Sequence, residues 1–325
     1  MIRKYCSLLF IILSISLTGQ ELYKEKLLLM GVDFEFTVVT ETKDEAAFFV
    51  KEAIKETVRI EDLISSWKLT SQTSKITKNA GIKPVKVSRE LVDLIQRSKR
   101  ISKLTNGCFD ISFASLDKFW YFNKPMKNLP DSLLILNSVK KIDYRNIIIN
   151  EEKSTVFLLK RGMRIGFGSI GKGYVAEKVK EKLKKIGVKA GLVNAGGDLT
   201  TWGNHPITKK WVIKIADPNK VLNNIGSFKL HNNSVVTSGN YAKYIQFNGI
   251  KYSHIINPKT GWPVRGVKSV TIFCENTELG DALATSVYIM GKEKGLDLIN
   301  KLRGVECLLI TNKNKILKSN NLKLN

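Results

Sequence analysis

The sequence predicts an α+β fold built on a mixed sheet. Segments with the periodicity of strands and of helices follow one another in a mixed order, with no repeat of fixed period. The apolar fraction is an ordinary 43%, which argues against a disordered chain. The 325 residues suffice for a substantial core, and this length suits one large domain or two closely packed subdomains.

The N-terminal half begins with a strand pattern from Lys26 to Val39 that is interrupted at Met30-Gly31. An amphipathic helix pattern follows from Asp44 to Trp67. Ser88 is a suitable cap for a second helix that runs to about Thr105. From Asn128 to Asn150 the chain is polar and lacks periodicity, so we expect irregular structure there.

The C-terminal half alternates between helix and strand patterns. A helix follows the glycine-rich stretch that ends at Gly173, and a second helix runs from about Glu278 to Met290 with Thr277 as its expected cap. The expected strands are Ala190–Val193, Val267–Cys274 and Glu306–Thr311.

The first 20 residues differ from the rest of the chain. Arg3 and Lys4 precede an apolar run from Leu8 to Leu17, and small or polar residues follow it, as in a secretory signal peptide. The run is shorter than the roughly 20 residues of a membrane-spanning helix, although an uncleaved anchor is an open alternative. We therefore expect a signal at residues 1–20, a domain at 21–325 and a periplasmic location.

The formal net charge is +24, from 53 basic and 29 acidic side chains. This charge favours anionic partners such as phosphates and lipid headgroups, so association with the inner membrane is one expectation. Nucleic acid is disfavoured as a partner, because an exported protein rarely meets it and the lysines are not interleaved with aromatic residues.

A glycine-rich stretch, Gly166–Gly173, opens directly into a helix. Free backbone N–H groups and the positive end of a helix dipole suit a pyrophosphate, and Lys172 adds a positive charge. The spacing is neither that of a Walker loop nor that of a dinucleotide-binding fingerprint. An ordinary helix-entry turn is an equally good interpretation of this stretch alone.

Asp281 and Thr285 are four residues apart and share one face of the predicted helix. Their oxygens suit Mg²⁺, which needs few protein ligands when it keeps waters and binds substrate phosphates. By spacing alone, an incidental polar pair on a partly buried helix is the simpler explanation.

His254 precedes a Pro258-Lys-Thr-Gly261 turn and is one of three histidines in the chain. Histidine can act as a general base near neutral pH. A single histidine is more often structural, so this residue alone does not indicate catalysis.

Five short motifs, taken in order, resemble the ApbE family of FAD:protein FMN transferases. They are the glycine loop with Lys172, Asn194-Ala-Gly-Gly-Asp198, Thr237-Ser-Gly-Asn-Tyr241, His254-Ile-Ile-Asn-Pro-Lys-Thr-Gly261 and Asp281-Ala-Leu-Ala-Thr285. The resemblance covers nearly the whole chain after the leader, and it implies an ApbE-like fold with the flavin site between two closely packed subdomains.

The resemblance also implies a set of residues for each role. The positions expected at FAD are Met30, Trp67, Cys108, Phe109, Asp110, Gly166, Lys172, Asp198 and Ile255. Mg²⁺ is expected at Asp281, Thr285 and an oxygen of Ser169, and His254 is expected to activate the acceptor hydroxyl. Gly166 stands where the family usually has an acidic residue, so that contact is missing or comes from another residue such as Asp198.

The activity implied by the resemblance is a Mg²⁺-dependent transfer of FMN from FAD to a threonine of an acceptor protein, with release of AMP. Acceptors in this family are typically exported domains of membrane-bound, flavin-dependent redox complexes. One alternative is an FAD pyrophosphatase that releases FMN and AMP. A non-catalytic flavin-binding protein is disfavoured, because Asp281, Thr285 and His254 are all present.

Overall fold

The computed structural model of the protein describes residues 21–122, 126, 128–217, 220–239, 244–247 and 249–323. The expected signal at residues 1–20 lies outside them. The helices are α1 (Lys43–Ile64), α2 (Gln72–Lys78), α3 (Arg89–Leu104), α4 (Ser132–Val139), α5 (Gly171–Lys185), α6 (Thr277–Met290) and α7 (Lys292–Asn300). The strands are β1 (Glu21–Leu29), β2 (Val32–Thr40), β3 (Val85–Lys86), β4 (Ile147–Asn150), β5 (Thr155–Leu158), β6 (Ala190–Ala195), β7 (Asp198–Trp202), β8 (Trp211–Asp217), β9 (Lys220–Leu230), β10 (Ser234–Gly239), β11 (Tyr244–Phe247), β12 (Ile250–Ser253), β13 (Val267–Cys274), β14 (Glu306–Thr311) and β15 (Ile316–Lys318).

The central sheet has eight strands in the order β1-β2-β6-β7-β10-β13-β14-β15, and helices lie between them along the chain, which confirms the predicted α+β fold. Each pair of neighbours in this sheet is antiparallel. The strands are therefore not of mixed direction; what is mixed is the order of helices and strands along the chain. Tight hairpins favour this arrangement, and β6 turns into β7 through Gly196-Gly197, both at positive φ.

Both faces of this sheet are covered. On one face, Phe34 and Phe36 of β2 join a cluster of buried residues from α1, α3 and α5. On the other face, Leu192 of β6 and Phe273 of β13 join buried side chains of the β8–β9 hairpin. Strands β6, β7 and β13 are accordingly buried almost throughout, because a sheet covered on both faces leaves no exposed side.

A smaller cluster packs beside the sheet and carries the segment that leads to His254. It combines Trp120, Ile135 of α4, and the buried Ile245 and Tyr252 of the β11–β12 hairpin. Trp120 donates a hydrogen bond to the carbonyl of Gly261 at 2.9 Å. Its ring stacks on Tyr252 with a centroid distance of 5.9 Å, which fixes the hairpin against α4. The division into two subdomains stays a prediction.

Two expectations from the sequence were wrong, one on the cap of α6 and one on the presence of α4. The cap of α6 is Asn276, whose side chain accepts a hydrogen bond from the N–H of Leu279, while Thr277 is already helical. The segment expected to be irregular contains α4, which Asp131 caps. Ile135 and Val139 place apolar side chains on the side of the helix opposite the leucines, so no amphipathic period marks it.

Helices α5 and α6 approach each other closely at Gly173. A Cβ at this position would lie 2.3 Å from the carbonyl oxygen of Thr277 and 2.7 Å from the Cβ of Asp281. Backbone and Cβ atoms cannot rotate away, so only glycine permits this approach.

Within the described residues, no helix is both long enough and apolar enough to cross a bilayer.

We expect Gly173→Ala to lower the free energy of unfolding by at least about 1 kcal/mol, because the added methyl must separate α5 from α6. Without a clash, replacing glycine by alanine inside a helix would stabilise it by up to about 1 kcal/mol. A lower free energy of unfolding would therefore indicate that the added methyl group clashes with α6. Chemical denaturation measures this change. Gly168→Ala is the control, since a Cβ there meets no atom within 4 Å. Equal stability of the two variants would contradict the close approach.

Candidate active site

Three charged side chains meet where α5 begins. The Nζ atom of Lys172 lies 2.5 Å from Oδ2 of Asp198 and 3.5 Å from Oδ2 of Asp281. Asp198 begins β7 and Asp281 lies in the second turn of α6, so three elements contribute one group each. Both carboxylates are almost completely buried, while 29% of the surface of the Lys172 side chain is exposed to solvent.

The electrostatics of this group leave one negative charge uncompensated when all three side chains are ionised, since there are two carboxylates and one ammonium. Burial lowers the pKa of Lys172, but Asp198 and Asp281 more than offset this effect and raise it, so the lysine stays charged. Burial and then repulsion by Asp281 raise the pKa of Asp198. A cation at this place would relieve that repulsion.

The helix dipole adds to this arrangement. Ile170, the residue before α5, makes no side-chain capping bond. Instead, Oδ2 of Asp281 accepts a hydrogen bond from the N–H of Gly173 at 3.0 Å. The carboxylate of α6 therefore takes the place of a cap, and Lys172 adds its charge to the positive end of the α5 dipole, where an anion is favoured.

The expected pairing of Asp281 and Thr285 on one face of α6 is confirmed. Oγ1 of Thr285 lies 3.3 Å from Oγ of Ser238 in β10, so a carboxylate and two hydroxyls line this region. No group of three or more His, Cys, Asp or Glu side chains that could hold a metal occurs among the described residues. The oxygen-only set still fits Mg²⁺, which binds through one or two carboxylates together with phosphates and waters.

The other predicted residues of the glycine loop lie close in sequence to this group. Ser169 is half-buried in the turn that leads into α5. The N–H of Gly166 donates to the carbonyl of Ile111 at 2.9 Å, and a Cβ at Gly166 would lie 3.1 Å from the Cβ of Ala114. The loop therefore packs closely where the family usually has an acidic side chain. Asp198 is the carboxylate that contacts Lys172, but its role at a flavin stays a prediction.

Two residues that the sequence analysis did not assign support the site. Glu177, one turn after Gly173 on α5, is buried and accepts hydrogen bonds from the N–H and the hydroxyl of Thr277 at 3.0 and 2.9 Å. It also pairs with Lys180 at 2.6 Å. Glu177 thereby fastens the start of α6 to α5. The second is Ser238 of the Thr237–Tyr241 motif, whose hydroxyl lies beside that of Thr285.

The remaining predicted FAD positions fall into two groups. Met30 occupies the β1–β2 turn with a φ of 52° and is partly buried against the main core. Trp67 lies beyond the end of α1 and faces solvent, with 88% of its area exposed. Phe109 is buried, and Cys108 is half-buried with its thiol pKa raised by burial. No contact in the structure tests their binding of FAD.

Asp110 has a clear structural part. Its Oδ1 accepts hydrogen bonds from the N–H and the hydroxyl of Ser112 at 2.8 and 2.6 Å, and its Oδ2 accepts one from the N–H of Tyr144 at 2.8 Å. Three donors thus hold this buried carboxylate, which joins two loops of the fold.

His254 follows β12 directly, and its side chain is exposed. Its ring meets that of Phe122 edge to face at a centroid distance of 6.4 Å. The next residue, Ile255, is buried in the same cluster as Leu283 and Ala284 of α6. The histidine is therefore attached to the helix that carries Asp281, and it is reachable by a second protein.

Comparisons with known proteins identify the relatives of this chain. The family model described as the ApbE family matches residues 30–309. A protein of Klebsiella pneumoniae (strain 342) named FAD:protein FMN transferase is 31% identical over 80% of this chain and 81% of its own length. A protein of the same name from Treponema pallidum (strain Nichols) is 29% identical over 77% and 73% of the two chains.

Solved structures show the same relationship. The ApbE protein of Thermotoga maritima superposes with a TM-score of 0.84 at 28% identity and covers 92% of this chain and 97% of its own. The flavin transferase ApbE of Vibrio cholerae shares the fold, with a TM-score of 0.83 at 21% identity over 93% and 98% of the two chains. The match of the family model over most of the chain, together with these likenesses, establishes that the protein belongs to the ApbE family.

Proposed function

We propose that this protein transfers FMN from FAD to a threonine of an acceptor protein, and that the reaction depends on Mg²⁺ and releases AMP. One observation carries the proposal: Lys172 meets the buried carboxylates of Asp198 and Asp281 at the start of α5. Thr285 lies one turn after Asp281 on α6 and adds a hydroxyl group. This is the combination that a metal-assisted reaction at a diphosphate needs. The names of the relatives give the same reaction class.

Binding and orientation of the diphosphate follow from the positions of the charged groups. Lys172 would contact phosphate oxygens, because its ammonium is the positive group of the site and lies at the positive end of the α5 dipole. Asp281 and Thr285 would hold Mg²⁺, together with an oxygen of Ser169 from the loop before α5. When bound, Mg²⁺ stabilises the negative charge that grows on the oxygens during transfer.

His254 is the general base of the proposed reaction. In the proposed step, a threonine oxygen of the acceptor forms a bond to the FMN-side phosphorus, and the bond between that phosphorus and the bridging oxygen breaks. The imidazole accepts the hydroxyl proton, and AMP leaves with the bridging oxygen. The exposure of His254 supports this role, since the acceptor hydroxyl must arrive from outside.

The location and the acceptor are part of the same proposal. The leader pattern at residues 1–20 supports export to the periplasm, and the net charge of +24 supports association with the inner membrane. An exported domain of a membrane-bound, flavin-dependent redox complex would meet the enzyme there.

We expect Asp281→Asn to reduce AMP release from FAD at least about 100-fold at ordinary Mg²⁺ concentrations, because the amide cannot supply the charge that holds the cation. Liquid chromatography of AMP over a Mg²⁺ titration measures the effect. Asp297→Asn is the matched control, since Asp297 is exposed on α7 and pairs only with Lys301 at the surface. Full activity of Asp281→Asn would refute the metal assignment.

We expect His254→Ala to bind FAD as the unchanged protein does but to lose about 100-fold to 10,000-fold in transfer to the acceptor, because the hydroxyl keeps its proton. Quenching of flavin fluorescence measures binding, and in-gel flavin fluorescence of the acceptor measures transfer. His231→Ala, at another exposed histidine, is the control. Unchanged transfer in His254→Ala would remove its catalytic role.

We expect AMP release from FAD and Mg²⁺ to require an acceptor protein, and removal of Mg²⁺ with EDTA to stop it. The experiment compares AMP formation with an acceptor, with its Thr→Ala variant and with none. Rapid AMP release without any acceptor would instead identify a pyrophosphatase. Tight FAD binding without AMP under all three conditions would identify a non-catalytic flavin-binding protein.

A further inference from the structure

Helix α4 exposes a group of leucines that the fold does not cover. Leu133, Leu134 and Leu136 have 69%, 58% and 55% of their area exposed. Successive helix residues are about 100° apart, so these three side chains span a broad arc on one side of the helix. Ile135 and Ser138 lie on the opposite side and are buried. A concentrated apolar surface of this kind indicates an interaction site.

The buried side of α4 holds these leucines in place. Ile135 packs into the cluster with Trp120, and its Cγ2 atom approaches Gly261 so closely that a Cβ there would lie 2.3 Å away. Asp131 caps the helix through the N–H groups of Leu133 and Leu134 at 2.7 and 3.4 Å. The leucine surface is therefore a fixed part of the fold and not a frayed segment.

Basic side chains border this surface at the C-terminal end of α4. Lys140 follows the helix directly and donates to Asn137 at 2.9 Å, and Lys160 reaches the carbonyl of Lys140 at 3.5 Å. Neither ammonium lies within 4.0 Å of a carboxylate of the described residues, although Asp143 is near enough to Lys160 for its pKa to be lowered in part by that lysine. Asp117 is already paired with Lys141 at 2.7 Å, and the carboxylate of Asp131 is engaged as the cap at the opposite end of α4.

We propose that α4 and its basic end dock on the surface of a membrane that carries anionic lipid headgroups. The leucines would enter the boundary between headgroups and acyl chains, and Lys140 and Lys160 would contact the headgroups. An eight-residue helix is far too short to span a bilayer, and it suits a position in the plane of the interface.

The chemistry of the surface favours lipid over a protein partner. The centres of protein interfaces are enriched in aromatic residues and arginine and depleted in lysine, whereas α4 presents leucines beside lysines. The net charge of +24 attracts the whole protein to an anionic surface. This inference goes beyond the proposed reaction and holds whether or not FMN is transferred.

Vesicle binding of the full chain tests the proposal. Leu133, Leu134 and Leu136 are changed together to serine, and co-sedimentation is measured with phosphatidylglycerol-containing vesicles and with pure phosphatidylcholine vesicles. Because all variants keep residues 1–20, differences between them report the changed surface. The control is Leu28→Ser with Ile207→Ser, which removes two other apolar side chains with 70% and 81% exposure.

We expect the leucine variant to bind anionic vesicles at least about tenfold more weakly, with AMP release unchanged, and the control to bind as the unchanged chain does. Lys140→Gln and Lys160→Gln should each weaken binding about fivefold, because a lysine near an anionic surface contributes about 1 kcal/mol. Hydrogen exchange should slow at the amides of residues 132–140 when anionic vesicles are added, which localises the contact.

Three outcomes would overturn the proposal. The first is that the unchanged chain does not bind anionic vesicles. The second is that the leucine variant binds them equally well and the amides of residues 132–140 exchange at the same rate with and without vesicles. The third is that the leucine variant binds vesicles normally and loses only transfer to the acceptor. The last result would assign the leucine surface to a protein partner instead.

Discussion

The candidate site depends on one contact, the hydrogen bond from the N–H of Gly173 to the carboxylate of Asp281. This bond joins the start of α5 to α6, and it is possible only because Gly173 has no side chain. Once the helices are this close, Lys172 lies within reach of Asp281, and the buried Glu177 fixes the same two helices one turn further on. The distance between Lys172 and the carboxylate of Asp281 is thus set by helix packing, which is rigid compared with a loop.

Burial of two carboxylates beside one lysine is an unfavourable arrangement for stability alone. Desolvation of three charged groups is expensive, and the attraction within the group repays it only where geometry and hydrogen bonding are good. Asp198 and Asp281 repel each other, which contributes to the raised pKa of Asp198. Such an arrangement is understandable where a cation and a diphosphate are to be bound, because the cation would compensate the negative charge that the protein leaves unpaired.

His254, the proposed general base, lies outside this buried group. His254 is exposed at the end of a hairpin, and Ile255 beside it is buried against α6. In the proposed reaction, the buried group would bind the diphosphate, and the exposed side with His254 would receive the acceptor protein. The same peripheral layer carries α4, since Trp120 contacts both the hairpin and the helix. A membrane contact through α4 would hold this open side near proteins of the same membrane.

The sequence by itself determined the local features. The glycine-rich entry into α5, the placement of Asp281 and Thr285 on one face of α6, the alternation of helices and strands, and the five ordered motifs of the ApbE family all depend on residues near one another in the chain. The tertiary structure alone decided which distant residues meet: Lys172 with Asp198, Thr285 with Ser238, and Glu177 with Thr277. It also decided that the strands of the central sheet alternate in direction and that the leucines of α4 stay uncovered. Periodicity reports the side of an element that is apolar, whereas the partner of each side chain depends on how the elements pack, and no local pattern encodes that.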